Sequence, residues 1–101
     1  MSLTTPKALA RAAFATTSAT LYTVPASTTA VVTNIAITNT AASAGTFTLN
    51  LAGVALHTTT AIAANTTIYI DCKQVLATTN TITGLASATT INYHISGVEI
   101  A

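Results

Sequence analysis

The chain has 101 residues, of which 50% are hydrophobic and only 5% are charged, and its formal net charge is +1. This length fits one domain with a modest core, and the near-neutral charge excludes the basic surface of a protein that binds nucleic acid or an anionic membrane. Thr and Ala each make up roughly a fifth of the chain. A composition that is rich in β-branched and apolar residues and poor in charge predicts an all-β fold rather than disorder.

The first 19 residues, MSLTTPKALARAAFATTSA, show no strong periodicity. They lack the continuous apolar segment of a signal peptide, and no stretch of the chain is long and apolar enough for a membrane span. Residues 5–14 are compatible with a short helix or, equally, with an extended arm. We therefore divide the chain into an N-terminal arm, 1–19, and a β-sandwich domain, 20–101.

The clearest alternation of apolar and polar residues lies in 29–39, TAVVTNIAITN, and predicts a long strand. Before it, Pro25 ends the strand that holds Tyr22 and Val24, because proline cannot donate a ladder hydrogen bond. After it, AASAG (41–45) has the length of a hairpin connection to the next strand. The period of two predicts one strongly apolar face and one mixed face. The first is formed by Val31, Thr33, Ile35 and Ile37, and the second by Ala30, Val32, Asn34 and Ala36.

Three later segments alternate in the same way: GTFTLNLAG (45–53), NTTIYID (65–71) and TINYHIS (90–96). Shorter strands are predicted at VALHT, QVL and TITGLA, a tight turn at Ala52-Gly53, and a bulge of the final strand at Gly97. About eight short strands, each with one apolar face, predict an antiparallel β-sandwich of jelly-roll or immunoglobulin-like topology. The inward side chains are predicted to be Phe47, Leu49, Leu51, Ile68, Ile70, Ile91, Tyr93 and Ile95.

Side chains able to carry chemistry are few: His57, His94, Cys72, Asp71 and Glu99. A metal site needs several such ligands to converge, yet only Asp71 and Cys72 are neighbours, and adjacent strand residues point to opposite faces. A single cysteine also excludes an intrachain disulfide, and no phosphate-binding loop is present. The sequence therefore predicts no catalytic residues, no metal and no cofactor.

One long segment resembles small structural proteins of tailed bacteriophages: LYTVPASTTAVVTNIAITNTAASAGTFTLNL. The resemblance continues through LAGVALHTT, AANTTIYID, QVLATTNTITGLAS and INYHISGVEI, and covers residues 20–101. The chain departs from the family at Ser27, where glycine frequently follows VPA, and we therefore expect that this turn does not need a positive φ.

The resemblance implies a β-sandwich component of the virion, without catalysis, assembled in the host cytoplasm and located on the capsid surface or the tail. The favoured role is a capsid decoration (cement) protein that binds the outside of the shell, with the major capsid protein and its own copies as partners, plausibly as a trimer. The alternatives are a neck, tail or fibre-associated module, and a receptor- or carbohydrate-binding module.

So few charges give weak repulsion between copies, which favours a surface covered by neighbours. Tyrosine is enriched at protein interfaces, and Lys7 and Arg11 could meet acidic groups if residues 1–19 lie on a neighbour or on the shell. The candidate shell or subunit contacts are Lys7, Arg11, Phe14, Tyr22 and Tyr69.

Overall fold

Alternating apolar side chains fold this chain into two four-stranded antiparallel sheets. The structure is a computed structural model that describes residues 4–101, apart from the side chain of Cys72. Within that range the chain forms eight strands and no helix. The strands are β1 (Thr4–Ala13), β2 (Ala19–Thr23), β3 (Thr29–Asn39), β4 (Gly45–Leu51), β5 (Val54–Ile62), β6 (Thr66–Leu76), β7 (Thr81–Ala86) and β8 (Ile91–Ile100).

The strand order identifies the sandwich as a jelly roll. Sheet A has the order β1-β8-β3-β6 and sheet B has the order β2-β7-β4-β5. The antiparallel pairs β1 with β8, β2 with β7, β3 with β6 and β4 with β5 are those of one long hairpin rolled into two sheets. The predicted tight turn is the tip of this hairpin, where Ala52 and Gly53 both have positive φ, 52° and 77°, as a hairpin turn of this length requires.

The core lies between the two sheets and is made almost wholly of aliphatic and aromatic side chains. The inward faces predicted for β4 and β8 are confirmed, and Ile68 and Ile70 of β6 pack against the core while Tyr69 faces outward. Asn39 is a buried polar exception; its amide nitrogen donates to the carbonyl oxygen of Ser43 at 2.8 Å. The largest fully buried side chains are Phe14, Phe47, Ile35, Ile37, Leu49, Ile62, Leu76, Ile82, Ile91, Ile95, Val24 and Val32.

The inward face of β3 is not the one predicted from an uninterrupted period of two. Ala30 and Val32 are buried before Thr33, and Ile35 and Ile37 after it, so the alternation shifts by one residue at Thr33. The pairing with β8 shows the cause: Val32 pairs with Gly97 and Asn34 with Ser96, which leaves Thr33 as an extra residue. The bulge expected at Gly97 therefore lies on the neighbouring strand.

One predicted connection and one predicted strand are wrong. AASAG joins β3 in sheet A to β4 in sheet B, so it crosses between the sheets instead of closing a hairpin. QVL is not a separate strand, because β6 runs on from Thr66 to Leu76 through Asp71. The length of a segment between apolar runs cannot distinguish a hairpin loop from a crossing loop, since both occur at five residues.

The N-terminal stretch is extended, and its described residues run beside β8 as the edge strand of sheet A. Leu9 and Phe14 enter the core from this stretch, and the backbone nitrogen of Phe14 donates to the carbonyl of Ile91 at 2.9 Å. A short helix at 5–14 is wrong. The apolar residues that join β1 to the core are too few to produce a periodic signal.

The turn after Pro25 contradicts the expectation at Ser27, whose φ is 54°. Its neighbour Thr28 is held by two bonds to Thr78: the Thr28 nitrogen donates to the Thr78 hydroxyl at 3.0 Å, and that hydroxyl donates to the Thr28 carbonyl at 2.7 Å. These bonds fix the turn, so serine adopts the left-handed conformation at a steric cost that glycine avoids.

We expect Ser27→Gly to raise the free energy of unfolding by about 0.5–1 kcal/mol, because the strain removed exceeds the added entropy of the unfolded chain. Urea denaturation measures this change. Ser96→Gly, in the extended strand β8, is the matched control and should lower stability by about 0.5–1 kcal/mol. Equal losses in both variants would show that Ser27 carries no strain.

Candidate functional site

Two of the candidate contact residues bind Glu99, near the end of β8. The Lys7 ammonium lies 3.2 Å from Oε1 of Glu99, and the Tyr22 hydroxyl donates to Oε2. Lys7 lies on β1 and Glu99 on β8 of sheet A, while Tyr22 lies on β2 of sheet B. This carboxylate therefore links the two sheets at their β1 and β2 edges, and it forms the single ion pair found among the described residues.

The surroundings of Glu99 shift the protonation equilibria of both hydrogen-bonded groups. The hydrogen bond from Tyr22 lowers the pKa of Glu99 below its ordinary 4.5; partial burial opposes this shift, and Lys7 adds to it. Burial, together with the hydrogen bond to Glu99 and its charge, raises the pKa of Tyr22 well above 10.0. The folded state thus favours the ionised carboxylate and the neutral phenol.

These two shifts predict opposite pH limits on stability. The stability that Glu99 contributes is complete above about pH 4.5 and is lost as the pH falls through the lower pKa of the folded state. The stability that Tyr22 contributes is complete below about pH 10 and is lost as the pH rises through the higher pKa of the folded state. We expect Glu99→Gln to lower stability at pH 7 and to lose less further stability between pH 6 and 3 than the unmodified protein. Urea midpoints across that range measure the difference.

Tyr22→Phe is the matched variant for the same series, because it removes the donating hydroxyl and keeps the ring. It should bring the acid transition of Glu99 closer to pH 4.5 and reduce the alkaline loss of stability. Part of that loss should remain, because burial also raises the pKa of Tyr93. An acid dependence identical in all three proteins would show that the Glu99 linkage contributes nothing to folding.

Phe14 is a core residue, with 1% of its surface exposed. Its ring packs edge-to-face on Tyr93, with centroids 4.9 Å apart, and stacks on Phe47 at 6.3 Å. A neighbouring molecule cannot reach it in this fold. The proposal that Phe14 is a surface contact is therefore corrected, and its position directly after β1 explains why: the chain turns inward there, between the sheets.

Arg11 and Tyr69 lie on one surface, the outer face of sheet A. Arg11 pairs with His94, His94 with Ala36, and Ala36 with Tyr69, so these four residues form one row across all four strands. Three strand spacings separate the ends of the row by about 14 Å. Arg11 and His94 also line a shallow depression of ≈ 250 Å³, together with Ala12, Ala13 and Asn92.

A second row on the same outer face is apolar. Pro6 pairs with Val98, Val98 with Val31, and Val31 with Val75. Val75 and Tyr69 of β6 are 68% and 72% exposed. The face thus offers an apolar row and a mixed row with one arginine, a combination suited to contact with another protein.

The residues considered for chemistry remain apart. Among the described residues, no three His, Cys, Asp or Glu side chains lie close enough to hold a metal ion. His57 lies on β5 in sheet B, where its Nδ1 lies 3.2 Å from the Thr60 hydroxyl and its ring contacts Phe47. His94 lies on the outer face of sheet A. Residues 4–101 also contain no helix of a length and apolarity that would cross a membrane.

The sequence did not single out His94, Val31, Val75 and Val98 as surface partners of Arg11 and Tyr69. Their association depends on the strand order β1-β8-β3-β6, which brings together residues from both ends and the middle of the chain. The apolar alternation of 29–39 gave a signal for Val31, but the bulge at Thr33 turned that side chain outward.

Comparison with known proteins identifies structures with a similar fold but does not assign the chain to a family. No protein-family model matches the chain, and no curated sequence matches it. Among solved structures, it is similar to a chain of the T13 infectious bursal disease virus particle, with a TM-score of 0.58 and 8% identity over 99% of this chain. The structure of the Gx strain of infectious bursal disease virus matches with a TM-score of 0.51 and 12% identity, also over 99%.

The chain spans 30% and 31% of those two viral chains. At such low identity the likeness shows a shared β fold, one that is found in a viral particle. The Agl-KA catalytic domain, with a TM-score of 0.44, 13% identity and coverage of 89% of this chain and 20% of that one, is too distant to support a functional comparison.

Proposed function

We propose that this protein is a non-enzymatic structural component of a phage virion, and most simply a capsid decoration protein that binds the outside of the shell. The observation that carries the proposal is the outer face of sheet A, which combines the row of Arg11, His94, Ala36 and Tyr69 with the apolar row that includes Val31 and Val98. The jelly roll, an architecture known in viral capsid domains, is consistent with this role.

The proposed contact uses Arg11 as its charged anchor. Arg11 is exposed and lies beside His94, so a carboxylate of the shell protein would meet two donors, and arginine binds carboxylates in a bidentate geometry. The surrounding residues Ala13, Ala36 and Thr38 are small and uncharged. A surface of this kind can be buried in an interface without leaving an unpaired charge. A neck, tail or fibre position would use the same face, in fewer copies per particle.

Binding of the purified protein to phage particles prepared without it tests the proposal. We expect Arg11→Glu to reduce the affinity for the particle about tenfold, a loss of about 1.4 kcal/mol in binding free energy, because the introduced carboxylate would repel an acidic group of the shell protein. Thr23→Glu, on an exposed position of β2, is the matched control and should bind as the unmodified protein does. Equal binding of all three proteins would remove the outer face of sheet A from the contact.

A further inference from the structure

The free edge of sheet A at β6 differs from the other three sheet edges. β1 is interrupted by Pro6, which lacks a donor, and by the bulge at Leu9. β2 has five residues and an irregular register, and β5 contains Thr59 in a left-handed conformation, with φ of 46°. β6 is the longest of the four edge strands, with 11 residues, no proline and no residue of positive φ. Its pairing with β3 has one irregularity, where Cys72 and Lys73 lie opposite Thr33 alone. Such an edge can add a further strand.

Four outward side chains of β6 form two complementary pairs about position 72, one residue past the middle of the strand. Tyr69 and Val75 are both largely exposed, and Asp71 and Lys73, also exposed, carry opposite charges. The members of each pair lie at equal distances in sequence on either side of position 72. A strand with this arrangement is complementary to a second copy of itself.

We propose that β6 pairs antiparallel with β6 of a second copy, about a two-fold axis at position 72. This register sets Asp71 of each copy opposite Lys73 of the other and Tyr69 opposite Val75, since the paired residue numbers always sum to 144. A two-fold contact is self-complementary and closes after two copies, so sheet A becomes one eight-stranded sheet. The full overlap of β6 with itself, centred on residue 71, would instead oppose Asp71 to Asp71, which is unfavourable.

The resulting assembly is a dimer, which differs from the trimer expected from the sequence. Its outer face carries the row of Arg11, His94, Ala36 and Tyr69 twice, related by the two-fold axis. The contact does not depend on the role in a virion, because it can form in free solution.

Charge reversal tests the register. Sedimentation velocity over a micromolar concentration series, with a reductant present, should show a species of twice the 10.2 kDa monomer mass. Asp71→Lys alone and Lys73→Asp alone should each weaken the dimer about tenfold or more, since each creates two like-charge contacts per dimer. The double variant D71K/K73D should restore it.

Mixing the variants Asp71→Lys and Lys73→Asp provides a sharper test. In a mixed dimer, the new lysine at position 71 of one chain would face the new aspartate at position 73 of the other chain. The unchanged Lys73 of the first chain would face the unchanged Asp71 of the second, so every charged contact would again join opposite charges. We expect an equimolar mixture to dimerise while each variant alone stays largely monomeric.

Thr20→Lys, on β2, controls for added charge and should dimerise normally, and circular dichroism should show that every variant is folded. A monomer at all concentrations, a trimer, or a dimer insensitive to both reversals would overturn the proposal.

Discussion

Phe14→Ala should lower the free energy of unfolding by about 3–5 kcal/mol, the usual cost of removing a fully buried phenylalanine. The ring contacts Tyr93 of β8 and Phe47 of β4, so its loss leaves a cavity that both sheets line. A domain of this size has a total stability of about 5–15 kcal/mol, and the variant should therefore be close to unfolding at physiological temperature. Urea denaturation followed by circular dichroism measures the change.

Val54→Ala is the matched control, because Val54 is 70% exposed at the tip of the β4–β5 hairpin; it should change stability by less than about 0.5 kcal/mol. A loss below about 1 kcal/mol in Phe14→Ala would contradict the placement of this ring, and with it the packing of the N-terminal stretch against the sandwich.

Gly97→Ala should destabilise the protein by about 3 kcal/mol or more, at the upper end of the range for overpacking. A Cβ at this position would lie 2.1 Å from the carbonyl oxygen of Val31 and 3.0 Å from Cδ1 of Leu9. The Val31 oxygen belongs to the backbone of a central strand and cannot move without disturbing the pairing of β3 with β8. Thermal and urea unfolding both measure the effect.

Ser96→Ala tests the adjacent position on the outer face of the same strand, and we expect it to change stability by less than about 0.5 kcal/mol. Equal stability of Gly97→Ala and Ser96→Ala would show that the Val31 carbonyl oxygen does not lie against Gly97. It would contradict the close approach of β3 to β8 and the position of the bulge at Thr33.

The sequence was sufficient for the fold class and for most of the inward faces, because alternation is a local signal that burial of one face imposes. It failed at Thr33, where the bulge depends on how β3 meets β8 and has no local signature. It failed also at Ser27, where the bonds to Thr78 hold a conformation that serine alone does not favour.

The candidate contacts show the same limit. Nothing local indicates that Lys7 and Tyr22 share Glu99, because these residues are up to 92 positions apart in the chain. Phe14 follows a stretch without periodicity, so its burial was not predicted. Arg11 and Tyr69 were chosen by residue type, and only the strand order places them on one face.

The copy number of the protein in purified phage particles, measured by quantitative mass spectrometry against the major capsid protein, tests the proposed role most directly. Decoration of the shell predicts a number comparable with that of the shell protein. A handful of copies would instead place the protein at the neck, tail or fibre, and its complete absence from the particles would contradict a structural role in the virion.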